Sequence, residues 1–271
     1  MANKGSLNSA IVMMIFLASF CWARGPGQTD GQKDKNMMDK RGIENFLRKA
    51  RIASVLKGRT GGRTAPYIVI LKDGEKTMRA VFKYIHRPRP NLLSDSYKRE
   101  IAAYELSKLL DLDIVPPAVE REVDGRKGSL QFFLEDCITD RDRRLNKLEP
   151  PDPASFQSRI EEIKVFENLV ANGCLDETHL FIHKSNWKIC RIDFSQAFDP
   201  SPELIPGCEL TRSSRKLFRN LQNLDEGPLR SALGPYLLED EIQNLLIRKM
   251  IVIDKIKELI AAKGVEAVLF D

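Results

Sequence analysis

The chain has 271 residues, 42% of them apolar and 30% charged, which excludes a short peptide, a coiled coil and a disordered tail. Its 43 Lys and Arg against 38 Asp and Glu leave a net charge of +5 without a long basic block, so no nucleic-acid partner is expected. No apolar run reaches the ~18 residues of a bilayer-spanning helix, and no transmembrane span is expected in the mature chain.

In chain order, Lys4, the apolar residues 10–20 and the small Cys21 and Ala23 read as a signal peptide over 1–23, with an uncleaved anchor as the alternative. Phe20 is bulky where a lipidation site wants a small residue before its cysteine. Residues 24–42 are a polar, Gly-bearing linker. The signal implies export to a periplasmic or extracellular, oxidising compartment, with Cys137, Cys174, Cys190 and Cys208 retained after cleavage. These are too sparse for a disulfide scaffold, and both a disulfide and free buried thiols stay open, with three pairings to choose from.

Apolar residues at Ile43, Phe46, Leu47 and Ala50 predict a helix over 43–50. Strands follow over 51–57, 66–72 and 78–85, the first two joined by the glycine loop 58–63 and the last two by Asp73-Gly74. A helix over 94–110 has apolar residues on two faces, and strands over 115–123 and 128–134 meet at Asp124-Gly125. Beyond Pro150-Pro151-Asp152-Pro153 a helix is predicted over 154–172, then strands over 180–183 and 187–192. Helices over 213–224, 227–233 and 238–263 complete the chain; the last carries an apolar stripe from Leu238 through Met250 to Ile260 that reads as core.

Two charged residues stand out within this order. Lys83 ends Ala80-Val81-Phe82-Lys83 in the third strand, and Glu100 sits in Tyr97-Lys98-Arg99-Glu100-Ile101 of the following helix. A double proline, Pro116-Pro117, introduces the fourth strand, and Val165-Phe166-Glu167-Asn168-Leu169 and Arg191-Ile192-Asp193-Phe194 come later. Together they resemble the kinase-like phosphotransferase fold, in the branch with phosphoinositide-kinase-like and toxin-type bacterial kinases, across residues 43–270. The resemblance implies an α+β, two-lobed protein-kinase-like fold: a small antiparallel sheet lobe over 43–137 and a mainly helical lobe over 138–271. It also implies ATP and Mg²⁺ as cofactors and a protein or lipid acceptor. Lys83 would then hold phosphates and Glu100 would fix Lys83. Gly58, Gly61 and Gly62 would cover the phosphates, Glu135, Asp136 and Cys137 would form the hinge that meets the adenine ring, and Asp193 would hold the metal.

The catalytic loop departs from that family. The pattern Asn, any residue, Asp, Arg, three residues, Asn is answered by Asn172-Gly173-Cys174-Leu175-Asp176-Glu177-Thr178-His179, so Cys174 occupies the base position and His179 that of the second metal ligand. A thiol among anions is a poor base, and Mg²⁺ prefers oxygen to a histidine nitrogen. Asp176 is a candidate substitute base. Three readings follow: a degenerate, pseudokinase-type protein that keeps nucleotide binding; an active phosphotransferase or nucleotidyl transferase with a rearranged loop; and a metal-binding or interaction protein with Zn²⁺ on Cys174, His179, His183 and Cys190. The basic Arg212, Arg215, Lys216 and Arg219 suit either a phosphate or a solvated helix face.

Overall fold

The computed structural model describes residues 38–57, 65–87 and 94–271. The expected signal, most of the linker and the glycine loop with Gly58, Gly61 and Gly62 lie outside the described residues.

Asp39 starts helix α1 (Lys40–Lys49) by accepting the Gly42 amide at 2.8 Å, and α1 buries Phe46 and Leu47. Strands β1 (Arg51–Leu56), β2 (Tyr67–Asp73) and β3 (Lys76–Lys83) follow, and β2 and β3 form a hairpin through Gly74 at φ +58°. A ribbon of β4 (His86–Arg87) and β5 (Asp95–Ser96) leads into α2 (Tyr97–Leu109), where the Ser96 side chain caps the Lys98 amide. The next hairpin, β6 (Ala118–Val123) and β7 (Arg126–Phe132), turns at Asp124 and Gly125, both at positive φ as a type I′ turn requires.

These strands make one antiparallel sheet in the order β1-β2-β3-β7-β6. They are the five that the apolar runs and turn signals of the sequence predict. β6 begins directly after Pro116-Pro117 and lies at the sheet edge, where a residue without an N–H costs no ladder bond. On one face of the sheet Leu71, Ala80, Phe82 and Leu130 pack with Phe46 and Leu47 of α1.

After β7 come β8 (Cys137–Thr139), α3 (Asp140–Leu145) and α4 (Pro153–Val170), the last capped by Asp152 with Pro153 in its first turn. β9 (Leu180–His183) and β10 (Ile189–Arg191) complete a three-stranded sheet in the order β10-β9-β8. Then follow β11 (Ser213–Ser214), α5 (Arg215–Asn223), α6 (Glu226–Leu233), α7 (Glu239–Lys263), α8 (Val265–Val268) and β12 (Leu269–Phe270), with β11 and β12 parallel. A second core gathers Ala102 and Leu106 of α2, Phe166 and Leu169 of α4, and Leu245 and Ile256 of α7.

The expected stripe on α7 needs one correction. Ile242, Leu245, Ile253 and Ile256 are buried, but Leu238 is 46% and Met250 51% exposed. Leu238 is the cap outside the helix, and Met250 falls off the arc that faces α4 and α5. Among the described residues no helix is long and apolar enough to cross a membrane.

Candidate functional site

Alternation along β3 sends Ala80 and Phe82 to the core and Val81 and Lys83 to the opposite face. The neighbouring strand approaches closely at Gly128, where a Cβ would stand 2.4 Å from the Lys83 carbonyl oxygen and 2.5 Å from the Phe82 ring. Lys83 Nζ lies 2.5 Å from Glu100 Oε1 and 2.8 Å from Asp193 Oδ1. Burial alone would lower the Lys83 ammonium, but the two carboxylates outweigh it and hold the pKa above the ordinary lysine range. Burial likewise would raise Asp193, yet the Lys83 charge carries it well below the usual carboxylate range. Glu100 is 1% exposed, and loss of water pushes its pKa up against the pull of Lys83.

Helix α2 is held in this position by the residue next to Glu100. Arg99 donates to Glu241 on α7 at 3.0 Å, to Ser94 and to the Ser195 carbonyl, and both members of the Arg99–Glu241 pair are 2% exposed. The Ser96 amide also donates to the Ser195 carbonyl. The start of α2 is therefore tied to the segment that carries Asp193.

Asp193 leaves β10 in the left-handed region at φ +65°, a conformation that short polar side chains tolerate best. The Asn172 side chain donates to its carbonyl at 3.1 Å, and the Ser195 hydroxyl to its Oδ1 at 3.1 Å. Its other oxygen stands 3.4 Å from His179 Nε2, and His179 Nδ1 stands 3.1 Å from Asp176 Oδ2. Asp176 Oδ1 accepts the amide and hydroxyl of Thr178, which hold its pKa below the usual range although burial works the other way. The result is a continuous row of polar side chains, Glu100, Lys83, Asp193, His179 and Asp176. Lys83, Asp193, His179 and Asp176 line one cavity of about 920 Å³, with Val81 and Phe133 among its apolar wall.

The loop before Asp176 is fastened from below. Cys174 is in a disulfide with Cys208, and the Leu175 amide donates to Glu167 Oε2 at 2.5 Å. Glu167 also takes the Arg191 guanidinium at 2.5 Å, both side chains being 2% exposed or less. Asn168, one residue on, donates to the Cys208 carbonyl and accepts the Ile205 amide. Arg248 of α7 donates to the carbonyls of Leu169, Asp199 and Ser201.

The structure brings together Lys83, Glu100, Asp176, His179 and Asp193. It corrects Cys174 as a catalytic group: a disulfide sulfur has no thiol proton to exchange. It also corrects the zinc reading, because Cys174 is consumed, His179 bridges two carboxylates, and the His183 ring meets Ser185 instead. Among the described residues those four do not form a metal-sized cluster. Glu135 binds Arg79, the Cys137 thiol donates to the Glu135 carbonyl, and the cavity wall at this part of the chain is Phe133. Arg215 pairs with Glu266 and Lys216 with Asp111, as a solvated face would. Sequence reasoning did not assign Arg99, Glu241, Glu167, Arg191 or Arg248 to the support of this site. The available signal was a charge set within an apolar helical or strand pattern, as in Val165-Phe166-Glu167 and Ile189-Cys190-Arg191.

No protein-family model matches the chain, and no curated protein does. Among solved structures, hydra Fam20, determined with sugar, superposes with a TM-score of 0.65 at 14% identity over 85% of this chain and 91% of that one. The chain has a kinase-like fold. A proinflammatory kinase of Helicobacter pylori, CtkA, agrees at a TM-score of 0.54 and 12% identity, over 81% of this chain and 98% of that one. The mixed helix and antiparallel sheet of this kinase-like chain is the fold class its sequence predicts. In donor chemistry, the oxygens of Asp193 and Asp176 suit a hard cation such as Mg²⁺, whereas the His179 nitrogen does not. The lysine, by contrast, suits a phosphate.

Proposed function

We propose that this chain is an exported, kinase-like protein that binds a nucleotide with Mg²⁺ and lacks the usual catalytic base. In this reading the sheet residues 43–137 and the helical residues 138–271 act as two lobes around the nucleotide, and residues 1–23 are a cleaved signal. The observation that carries the proposal is Lys83 held between Glu100 and Asp193 on the wall of a cavity. Lys83 would meet the phosphates and Asp193, with Asp176, would hold the metal, which when bound neutralises phosphate charge. The Cys174–Cys208 bond leaves no proton acceptor at the family's base position and is in keeping with an oxidising compartment.

The test is the melting temperature of the chain with ATP and Mg²⁺, beside Asp193→Ala. Ligand at a hundred times Kd adds about 2.7 kcal/mol, a shift of several degrees. A shift in the parent that the variant lacks supports the proposal; no shift at millimolar ATP overturns nucleotide binding.

A second reading has its own observation, the Asp176–His179–Asp193 row facing the same cavity. It assigns phosphoryl or nucleotidyl transfer to a protein or lipid acceptor, with Asp176 as base. Transfer of labelled phosphate or nucleotide that Asp176→Asn abolishes would establish it over the inactive reading.

A further inference from the structure

One carboxylate holds both of the segments that present the acidic residues of the cavity. Glu167 lies near the end of α4, with its side chain fully buried. Its Oε2 accepts the amide of Leu175, the residue before Asp176, and its Oε1 accepts Arg191 Nε, each at 2.5 Å. Arg191 Nη1 donates in turn to the Ile192 carbonyl, and the same guanidinium lies over the Phe194 ring at 5.6 Å. Those two contacts fall on either side of Asp193.

Neither segment has a backbone that keeps its shape unaided. Leu175 sits at φ +47° and Asp193 at φ +65°, both in the left-handed region. A leucine there is strained, and it stays only where its surroundings enforce it. The disulfide anchors Cys174, one residue earlier, but the Leu175 amide itself is oriented by Glu167. Released from that bond, Leu175 would return to negative φ and turn Asp176 out of its present direction.

We propose that Glu167 is a positioning residue that sets Asp176 and Asp193 at the separation a divalent cation needs, an inference that rests on the nucleotide reading above. Only a carboxylate suits the place. Both of its partners are N–H donors, so each oxygen must accept, and a carboxamide would turn its own NH₂ toward one of them. Groups that hold metal ligands from behind typically change metal affinity by about 10- to 100-fold when they are replaced.

The experiment is calorimetric binding of ATP, with and without Mn²⁺, to the full chain and to two variants, beside the EPR spectrum of the bound Mn²⁺. The first variant is Glu167→Gln. The second joins Glu167→Leu with Arg191→Met, an apolar replacement that buried ion pairs often tolerate. It leaves the net charge unchanged, so a weakened site in it is not an effect of the field. The affinity that Mn²⁺ adds in the parent should fall by about 10- to 100-fold in both variants, with a changed Mn²⁺ spectrum, while ATP without metal binds as it does to the parent. A Mn²⁺ contribution equal to the parent's in either variant overturns the role of Glu167. Equal losses with and without Mn²⁺ show a general distortion, and a variant that no longer melts cooperatively shows that the pair builds the fold; each overturns the role too. A parent that binds ATP but gains nothing from Mn²⁺ overturns this inference and leaves nucleotide binding standing. A parent that binds ATP in neither form overturns both proposals.

Discussion

Cys174 and Cys208 are joined with their Cα atoms 5.6 Å apart, so the loop that carries Asp176 and His179 is covalently tied to the segment beyond Asp193. Their separation of 34 residues lets the bond restrict the unfolded chain substantially. For a loop of that length the restriction is worth about 3–4 kcal/mol. Replacing both cysteines by alanine should lower the melting temperature by roughly 10 °C in a chain of this size. Scanning calorimetry of the parent, the double variant and the parent with a thiol reductant checks this. Equal melting temperatures would show that the bond does not stabilise the fold.

The Arg99–Glu241 pair should behave as a buried charge pair does. Removing one member takes a buried charged partner from the other, a change that typically costs about 3–5 kcal/mol. Arg99→Met should therefore destabilise strongly in urea titrations, and the double variant Arg99→Met, Glu241→Leu should recover part of the loss. Because Arg99 precedes Glu100 and also holds the Ser195 carbonyl, the single variant should weaken nucleotide binding as well. A double variant less stable than the single one would contradict the pair's role.

How much of this was legible in the sequence depended on distance along the chain. The Asp73-Gly74 and Asp124-Gly125 turns and the apolar runs of β2 and β3 are local signals, and the separate strands follow from them, whereas the pairing of β3 with β7 is not local. Lys83 and Glu100 could be picked out because each sits in a recognisable element. The Cys174–Cys208 pairing could not, since three pairings of four cysteines fit the same residues. Arg99 with Glu241 is 142 residues apart and Arg248 with Leu169 is 79, and nothing local marks such partners. His179 was read as a metal ligand from its place in a motif, whereas its two carboxylate neighbours become visible only once β10 returns beside the loop.

Gly128 gives a sharper test of the strand that delivers Lys83. A methyl group there meets main-chain oxygen at 2.4 Å and an aromatic ring at 2.5 Å, and neither can swing aside as a flexible side chain would. Gly128→Ala should cost about 1–3 kcal/mol by overpacking and should weaken nucleotide binding by displacing Lys83. Gly74→Ala serves as a contrast, because open space surrounds that position and only its φ of +58° is strained. Denaturation midpoints that fall for Gly128→Ala while ATP affinity holds would separate the strand's packing from the placement of Lys83.

The remaining thiols should differ in both rate and pH profile of alkylation. Cys137 is partly exposed, whereas Cys190 is 9% exposed and burial pushes its thiol up to about 11. At pH 8 a thiol of that pKa is thiolate in only about one molecule in a thousand, and the thiolate is the form that reacts. Iodoacetamide with peptide mapping should find Cys137 modified first, Cys190 only on unfolding, and Cys174 and Cys208 only after reduction. The unfolded thiol ionises near its ordinary value of about 8.5, so the unfolded chain releases its proton before the folded one. Stability contributed by the neutral, buried Cys190 is thus complete below pH ~8.5 and declines as pH rises toward the folded value. Cys190→Ala removes that dependence, whatever it costs in packing. Urea titrations between pH 7 and about 10.5 should therefore show a steeper downward slope in the parent than in the variant, and parallel slopes would mean that Cys190 titrates no differently folded than unfolded.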